Sequence, residues 1–386
     1  MKKGRLILLL LLPVAAYNFW AASDRMQTVQ SLYPRYVIGN FESYGTNAGK
    51  GNILALSPYL HTYDFSSEEA FHNMLHYYLI LAQQKKLLND STVVVLPEYI
   101  GTWLVAVNEK TKIYKDSSLK DAMKTIVYSN IGKFGWAYMS TSAKEKNKEA
   151  LFKMKASKML EIYQHTFSKL SKEFGVTIVA GSIVLPDPSV QDGKMEIHKG
   201  GSLYNISAVF DKNGRVMTPL TQKQFPIEEE KSFTRRAVIE DIPVYKTPAG
   251  NLAILICADA WYPENFKKIT DKKTDILAVP SFVSGNNTMQ EKWRGYSGAP
   301  TPADVDKGDA NQITELEAWM KYSAQRTAEM QGMQAGVHVF LRGDLWNMGS
   351  DGNTILSRNK DLQLTKTPEE KTGSLVNCWL PAKSNR

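Results

Sequence analysis

The chain has 386 residues, of which 43% are hydrophobic and 22% are charged, and its formal net charge is +8. A chain of this length can bury a sizeable core, and its composition excludes wholesale disorder, a collagen and a polytopic membrane protein. The two cysteines exclude a disulfide scaffold and a four-thiolate zinc site. Length alone leaves one large domain with insertions and two separate domains both open.

The N-terminus has the features of an export signal. Three basic residues within the first five precede an apolar run from Leu6 to Ala16, which continues less cleanly to Ala22. This order is typical of a secretory signal, and small residues offer cleavage sites, but the run is also just long enough to cross a bilayer as a retained anchor. We therefore predict a signal peptide or membrane anchor over residues 1–23 and an exported protein, periplasmic or extracellular. A buried N-terminal helix is the less favoured alternative.

Strand and helix patterns alternate from about Gly51. The apolar runs TVVVL, LAILI and DILAV predict strands that are buried on both faces. Ser66 and Glu69 have capping-box spacing before apolar residues at helical intervals, which predicts an amphipathic helix ending near Ala82. Residues 202–216 contain an Asp-Lys-Asn-Gly turn and predict a hairpin. The pattern indicates an α/β domain over residues 51–386, preceded by a linker over 24–50.

Three residues suited to catalysis follow these elements. Glu98 follows VVVLP, Cys257 follows LAILI, and Lys223 lies in TQKQFP after the hairpin. Ligands of open α/β sheets gather beyond the carboxyl ends of the strands, and an acid, a cation and a thiol are the groups that covalent acyl transfer requires. Taken singly, each has an ordinary interpretation as a solvated strand end, a surface lysine or an inert buried thiol. As one ordered set they indicate a catalytic site.

The segments VVVLPE, TQK and ICADAWYPE resemble the Glu, Lys and Cys motifs of the carbon–nitrogen hydrolases of the nitrilase superfamily. GGSLYNISAVFDKNGRV, TDILAVPSF and QRTAEMQG add weaker similarities, so that the resemblance spans about residues 51–357. It implies an α/β fold with a single catalytic domain, the α-β-β-α sandwich of the nitrilase type. Two such sandwiches pack into four layers in this family, so a homodimer is expected. The resemblance implies no metal and no other cofactor.

The same resemblance implies roles for individual residues. Glu98 would act as the general base and Cys257 as the nucleophile that forms a thioester, while Lys223 and the backbone N–H of Ala258 would stabilise the oxyanion. The substrate would be a small-molecule or acyl amide that is cleaved at a non-peptide C–N bond. A second glutamate is expected to support this triad. Spacing favours Glu230, and Glu228 and Glu229 remain open.

Three other functions are open at this stage. In a membrane-proximal N-acyltransferase an amine would resolve the thioester, and in a nitrilase the thiol would attack a nitrile. The third alternative is a binding protein on the same scaffold, which the presence of all three catalytic groups disfavours. No phosphate-binding glycine motif is present, so no nucleotide is indicated. His72 and His76 are four residues apart but have no evident third ligand, so a zinc site is not predicted.

Several further residues and segments are expected to surround the site. Two enlarged segments, at about 104–172 and 284–312, are candidates for lids or specificity elements. Cys378, in VNCWL, is predicted to be a buried free thiol, since a disulfide with Cys257 would abolish the nucleophile. The candidate pocket residues are the aromatic side chains that flank the strand ends: Tyr99, Trp103, Trp261, Tyr262 and Phe282.

The positive charge is unevenly distributed. Residues 110–172 contain 14 lysines and five acidic residues, a net of +9, and the N-terminal segment adds +3, which leaves −4 for the rest of the chain. The catalytic core is therefore not basic, and no nucleic-acid partner is indicated. We interpret the Lys-rich segment as a solvated helical face, with contact to anionic lipid or an acidic partner as the alternative. Membrane contact is also expected through the N-terminus.

Overall fold

The computed structural model describes residues 2–25, 36–237, 241–296 and 299–381. The α-helices are α1 (Lys2–Ala22), α2 (Glu68–Gln84), α3 (Thr111–Lys115), α4 (Leu119–Tyr128), α5 (Ile131–Tyr138), α6 (Lys146–Phe174), α7 (Glu228–Lys231), α8 (Pro263–Asp271), α9 (Glu315–Trp319) and α10 (Gln325–Glu329). A π-helical turn over Met320–Ala324 joins α9 to α10. The 3-10 helices are Thr62–Phe65, Thr102–Ala106, Cys257–Trp261, Thr288–Gln290 and Lys307–Asp309.

The strands form two six-stranded sheets and three smaller ones. In order along the chain they are β1 (Ile38–Tyr44), β2 (Asn52–Ser57), β3 (Tyr59–His61), β4 (Thr92–Val95), β5 (Thr177–Val179), β6 (Ile183–Pro186), β7 (Pro188–Gln191), β8 (Lys194–Ile197), β9 (Leu203–Ser207), β10 (Val209–Phe210), β11 (Thr221–Gln222), β12 (Val244–Thr247), β13 (Gly250–Ile254), β14 (Ile276–Ser281), β15 (Ala335–Phe340), β16 (Arg342–Asp344), β17 (Ile355–Arg358), β18 (Asp361–Leu364) and β19 (Gly373–Trp379). The first large sheet has the order β1-β19-β2-β4-β5-β10, and the second has the order β12-β13-β14-β15-β17-β18. The predicted buried strands β4, β13 and β14 lie at or near the centres of these sheets.

The two large sheets pack face to face between outer layers of helices. In β4, Val93 and Val95 belong to the apolar core between the sheets, whereas Val94 points outward into the core formed with α2 and α6. In the second sheet, Ile254 faces the shared core and Ala253 packs outward against residues of α8. Since successive side chains of a strand point to opposite faces, a strand buried on both faces must be apolar throughout. The α-β-β-α sandwich predicted from the sequence is confirmed.

The Lys-rich segment contains two kinds of structure. α3, α4 and α5 are short helices, whereas α6 is a long helix that packs across the first large sheet, and the Tyr163 hydroxyl donates to the Ala180 carbonyl oxygen over 2.9 Å. α6 thus has one buried face, and the interpretation of the lysines as a solvated helical face holds for most lysines of α6 but not for Lys153 and Lys155. Lys153 is buried and lies 2.8 Å from the carboxylate of Glu149. Burial of that lysine depends on this partner, because an unpaired buried charge is costly.

The region before residue 51 also differs from the prediction. Part of the predicted linker over 24–50 forms β1, which pairs in parallel with β19 at the edge of the first large sheet. β1 was missed because its sequence, IGNFESY, contains polar residues and lacks a continuous apolar run. Residues 26–35 of the predicted linker lie outside the described residues.

The N-terminal segment forms α1, which contacts the body of the protein at its C-terminal end. The Lys110 ammonium donates to the carbonyl oxygens of Trp20 and Ser23, each over 2.6 Å. The Arg25 guanidinium lies 2.9 Å from the buried carboxylate of Glu109. In the described part of the chain, no helix has both the length and the apolarity that crossing a membrane requires.

Candidate active site

A tight turn presents Glu98 at the end of β4. The following residue, Tyr99, has a positive φ of 63°, so the chain reverses immediately after the glutamate. Gly181, which has a φ of 59°, packs against this turn, and a Cβ atom there would lie 2.0 Å from the Pro97 carbonyl oxygen. No other residue could be accommodated without moving the turn. The close approach of Gly181 therefore helps to fix the position of Glu98.

Lys223 follows the short strand β11 and is held from both sides. Its N–H donates to the Asn205 carbonyl oxygen over 2.9 Å. The next two residues, Gln224 and Phe225, donate their N–H groups to one carboxylate oxygen of Asp259, over 2.9 and 2.7 Å. Burial raises the pKa of Asp259 to about 7. Asp259 thus ties the lysine segment to the segment that carries Cys257, as expected for a residue that shapes the site.

Cys257 begins the 3-10 helix that follows β13, and its φ of 49° is in the left-handed region. This conformation is uncommon for a residue with a side chain and is typically found where a functional group must be presented. The N–H of Ile256 donates to Asp259 over 3.2 Å and braces the turn. Ala258 is in the first turn of the 3-10 helix, where N–H groups have no acceptor within the helix, and it lines the adjoining cavity.

The structure brings the three predicted catalytic side chains together. The Lys223 ammonium lies 2.7 Å from Oε1 of Glu98, and the Cys257 thiol is close enough to this carboxylate for its charge to raise the pKa of the thiol. The Cys257 sulfur also lies 3.8 Å from the Phe282 carbonyl oxygen. All three catalytic side chains are buried, with Cys257 the most exposed at 7%. Thiol, carboxyl and ammonium therefore form one water-poor cluster.

Of the three candidate glutamates, Glu230 is the one beside the lysine, because its carboxylate lies 2.6 Å from the Lys223 ammonium. Glu228 and Glu229 are exposed at the start of the same short helix. The Tyr99 hydroxyl donates to Glu230, and the Ile227 N–H donates to its second carboxylate oxygen over 2.9 Å. These contacts fix the buried carboxylate beside the lysine.

Asn205 is a member of this cluster that the sequence did not identify. Its amide nitrogen donates to Oε1 of Glu98 and to Oε1 of Glu230, each over 2.9 Å. It bridges the two carboxylates from β9, the strand that precedes the Lys223 segment by way of the hairpin turn. The only signal in the sequence was the Tyr-Asn pair in the hairpin similar to that of the nitrilase superfamily.

The protonation states of the cluster follow from burial and charge. Burial raises the pKa of Glu98 above its ordinary value, although Lys223 opposes this effect. Burial also raises the pKa of the Cys257 thiol well above its ordinary value, and the neighbouring Glu98 raises it further. Burial alone would lower the pKa of Lys223, but the Glu230 and Glu98 carboxylates hold it well above its usual range. A neutral thiol, an ionised carboxylate at Glu230 and a permanent ammonium are expected at neutral pH.

The cluster opens into a cavity of about 640 Å³ whose lining is mostly apolar. All five predicted pocket residues line it: Tyr99, Trp103, Trp261, Tyr262 and Phe282. The enlarged segment 284–312 adds Trp293 and Tyr296, which make ring contacts with Trp261, and the N-terminal part of α6 adds Phe152. The two enlarged segments thus both contribute to the walls of the cavity.

The histidines and cysteines of the described residues form neither a metal site nor a disulfide. Among the residues that the structure describes, no three His, Cys, Asp or Glu side chains are grouped so that they could hold a metal ion. His72 and His76 stack on one another on α2, and His76 contacts Glu173. Both cysteines are free, and Cys378 is fully buried in β19, as predicted.

Sequence comparison decides the family. Residues 55–299 match the family model described as carbon-nitrogen hydrolase. The chain belongs to the carbon–nitrogen hydrolase family. A member of this family is an enzyme that hydrolyses C–N bonds. Because residues 55–299 include Glu98, Lys223 and Cys257, the match covers the whole cluster.

Individual proteins resemble this carbon–nitrogen hydrolase only distantly. The probable hydrolase YhcX of Bacillus subtilis is 24% identical over 139 residues, which is 35% of this chain and 24% of that protein, so the chain aligns with about a quarter of its length. An amidase from a Nesterenkonia species has a TM-score of 0.50 at 12% identity, covering 85% of this chain and 90% of its own. The carbon-nitrogen hydrolase of Helicobacter pylori G27 has a TM-score of 0.51 at 15% identity, covering 85% and 89%. Nit3 of Saccharomyces cerevisiae, a nitrilase-superfamily member, has a TM-score of 0.51 at 14% identity, covering 86% and 90%. At these identities the structural neighbours share the fold.

Proposed function

We propose that this carbon–nitrogen hydrolase cleaves an amide through a thioester on Cys257. The observation that carries the proposal is the burial of the Cys257 thiol and the Lys223 ammonium around one carboxyl group, that of Glu98, which lies 2.7 Å from the ammonium and raises the pKa of the thiol. Thiols are weak nucleophiles while protonated, and an adjacent general base activates them. Glu98 is that base. Its raised pKa makes it a stronger base toward the thiol proton than an exposed carboxylate would be.

The reaction proceeds in two halves. Glu98 takes the thiol proton as the sulfur attacks the carbonyl carbon, and the negative charge on the oxygen is stabilised by the Lys223 ammonium and the Ala258 N–H. Glu98 returns the proton to the nitrogen as the C–N bond breaks, which releases an amine and leaves the acyl group on sulfur. Glu98 then takes a proton from water, which attacks the thioester and releases a carboxylic acid. Proton transfer back to sulfur restores the thiol.

The cavity favours an amide with an apolar acyl group. Apart from the catalytic cluster, aromatic side chains dominate its walls, and burial of apolar surface is the main source of affinity available there. Outside the cluster, the exposed charged residues of the lining are Lys148, Glu228, Glu229 and Lys231. A small-molecule or acyl amide with a bulky apolar part fits this lining better than a charged one.

We also propose that the protein is exported and forms a homodimer. Residues 1–23 act as a signal peptide or as an uncleaved anchor, because basic residues precede their apolar run, and the catalytic domain then works outside the cytoplasm. A homodimer that joins two sandwiches is the expected assembly. Size-exclusion chromatography with light scattering would test the dimer, and N-terminal sequencing of the protein recovered from cells would test cleavage.

Covalent trapping tests the proposed function directly. Wild-type protein exposed to a panel of amides, esters and acyl donors is expected to gain the mass of the acyl group, with the adduct mapped to the peptide that contains Cys257. Cys378 serves as the internal control and should remain unmodified, because it is fully buried. Added amine acceptors that shift the product from acid to amide would favour the N-acyltransferase alternative, and an adduct from nitriles alone would favour a nitrilase. A protein that no donor acylates would disprove the thioester mechanism.

At acidic pH, kcat/KM should increase with pH as the carboxyl group of Glu98 loses its proton. Below its pKa Glu98 is protonated and cannot accept the thiol proton, so kcat/KM falls as the pH decreases. Because burial raises this pKa, the midpoint of the limb should lie above 4.5. Because the pKa of Lys223 is raised, this lysine should keep its charge up to at least pH 10.5, so its titration should not lower kcat/KM below that pH. The pH profile of kcat/KM measures both, with the exposed Glu161→Gln variant as the control that should leave the profile unchanged.

A further inference from the structure

Exposed apolar side chains are concentrated on one part of the surface. Nine of the fourteen large hydrophobic side chains that are exposed among the described residues belong to α1 or to the stretch from the end of α4 to just beyond α5. Single exposed apolar residues are common, whereas a cluster marks an interaction site. The nine are Leu12, Val14, Phe19, Trp20, Tyr128, Ile131, Trp136, Tyr138 and Met139.

α5 turns most of its apolar side chains toward solvent. Of its eight residues, IGKFGWAY, six are exposed, and only Phe134 and Ala137 are partly or fully buried. Trp136 is 77% exposed and Met139, just after the helix, is 70% exposed. A surface helix of a globular protein ordinarily faces its apolar side inward. We call residues 128–148 the α5 surface.

α1 adjoins the α5 surface. The Tyr17 hydroxyl donates to the Tyr128 carbonyl oxygen over 3.0 Å and accepts the Ile131 N–H over 3.1 Å. Tyr17 therefore holds α1 at the junction between α4 and α5. The exposed apolar side chains belong to the two stretches that meet at this junction.

The charge around α5 is positive. Residues 119–148 contain six lysines and two acidic residues. Lys133, Lys144 and Lys146 are exposed and form no ion pair with any other described residue. Glu149 does not offset them, because it is buried and paired with Lys153. Exposed tryptophan and tyrosine among lysines is the composition of surfaces that lie in the headgroup region of anionic membranes.

We propose that the α5 surface binds an anionic lipid bilayer. Trp136, Ile131 and Met139 enter the interface between headgroups and acyl chains, while Lys133, Lys144 and Lys146 neutralise lipid phosphates. This contact differs from insertion of the N-terminal segment, because it uses the folded domain. An acidic protein partner would satisfy the lysines but would leave the apolar side chains unexplained, so the bilayer fits both observations.

The α5 surface is next to the proposed substrate cavity. The Lys153 ammonium donates to the Ser140 carbonyl oxygen over 2.7 Å, which joins the end of the α5 surface to α6. On the same helix the adjacent residue, Phe152, and Lys148, five residues before Lys153, line the cavity. Bilayer contact would therefore hold one wall of the cavity close to the lipid headgroups. This last step rests on the proposed function, whereas lipid binding itself does not.

A fluorescent probe at a single position separates this contact from α1. The full chain carries Cys257→Ala to remove the reactive thiol, and Met139→Cys receives an environment-sensitive fluorophore. Vesicles of phosphatidylglycerol and phosphatidylcholine are expected to shift its emission to the blue, and pure phosphatidylcholine vesicles should give little shift. The control is the same label at Tyr77→Cys on α2, which should not respond. No shift at position 139, even if the protein sediments with vesicles through α1, would overturn the proposal.

Charge reversal gives an independent test. Each lysine near an anionic surface contributes about 1 kcal/mol to binding, so Lys133→Glu with Lys146→Glu should lower the partition coefficient by at least about tenfold. Leu364→Glu, at an exposed apolar position on β18, should leave partitioning unchanged, and circular dichroism verifies that each variant is folded. Unchanged partitioning of the lysine variant would contradict the proposal. Binding to polyglutamate without a response to vesicles would instead assign the surface to an acidic protein.

Hydrolysis of a soluble amide should persist in all these lysine variants, so failure of lipid binding is distinguishable from failure of the proposed function.

Discussion

Replacing Cys257 by alanine is expected to eliminate the acyl-enzyme and to lower kcat by at least about four orders of magnitude. The loss should be this large because, in the proposed mechanism, the sulfur forms the covalent intermediate and the second thiol, Cys378, is fully buried in β19. Folding should be little affected, since the hydrogen bond of the sulfur to the Phe282 carbonyl oxygen is long, at 3.8 Å. Steady-state kinetics on an amide found by trapping, together with urea denaturation, measures both effects.

The matched control for this variant is Cys378→Ala. This substitution also removes a buried thiol, but from the core between the sheets, where it should lower the free energy of unfolding while leaving kcat per folded molecule unchanged. The two variants thus separate loss of a nucleophile from loss of packing. Turnover by Cys257→Ala within about tenfold of the wild type would assign the nucleophile to another group.

The parts of the fold that could be predicted are those whose signal is local. β4, β13 and β14 each contain a continuous apolar run, because one face packs on the other sheet and one on helices, and such runs are readily recognised. β1 gave no such signal, since it lies at the sheet edge and is only partly buried. The N-cap of α2 is Ser67 rather than the predicted Ser66, a shift of one residue at a helix end.

In the candidate site, too, the residues in local sequence motifs could be predicted and the contacts between distant segments could not. Glu98, Lys223 and Cys257 each lie in a short motif beside a strand, so the sequence could identify them. The bridging contacts could not be predicted, because they join segments far apart in the chain. Asn205 and Glu98 are 107 residues apart, and Tyr99 and Glu230 are 131 apart. Only folding shows that these four polar groups surround one lysine.

The same reasoning explains the error over the Lys-rich segment. Charge counts do not distinguish a lysine that is solvated from one that is buried beside a carboxylate. Lys155 is held 2.7 Å from Glu109, a partner 46 residues away, and both side chains are largely buried. By contrast, Lys133 has no such partner among the described residues and remains exposed. The count of lysines therefore predicted the exposed lysines of α5 and α6 but not the two buried ion pairs, of Lys153 and of Lys155.

Replacing Lys223 by methionine should damage both stability and catalysis. The ammonium lies between Glu98 and Glu230, at 2.7 and 2.6 Å, and all three side chains are buried. Removing one member of a buried ion cluster leaves the partner charges uncompensated and typically costs about 3–5 kcal/mol. Loss of an oxyanion-stabilising group should also lower kcat by about 10²–10³-fold. Urea denaturation and steady-state kinetics at neutral pH measure the two losses.

The pH dependence of this variant identifies the cause of its instability. Without the ammonium, the pKa values of Glu98 and Glu230 in the folded protein should rise above those in the unfolded chain, since two carboxylates then share a buried site. The folded state would bind more protons than the unfolded state, so the variant should be most stable in acid and lose stability as pH increases. The wild type should show a smaller loss, because the ammonium lowers the pKa of Glu230 and partly offsets the raised pKa of Glu98.

A second substitution tests the same electrostatic argument from the other side. Adding Glu230→Gln to Lys223→Met removes one of the two uncompensated carboxylates while retaining its shape, so part of the lost unfolding free energy should return at neutral pH. Catalysis should not return, because the oxyanion would still lack the ammonium. If the double variant were no more stable than Lys223→Met at neutral pH, lost packing rather than buried charge would explain the damage. Recovery of stability without recovery of kcat is the pattern expected of a lysine that balances two buried carboxylates and also stabilises the reacting oxygen.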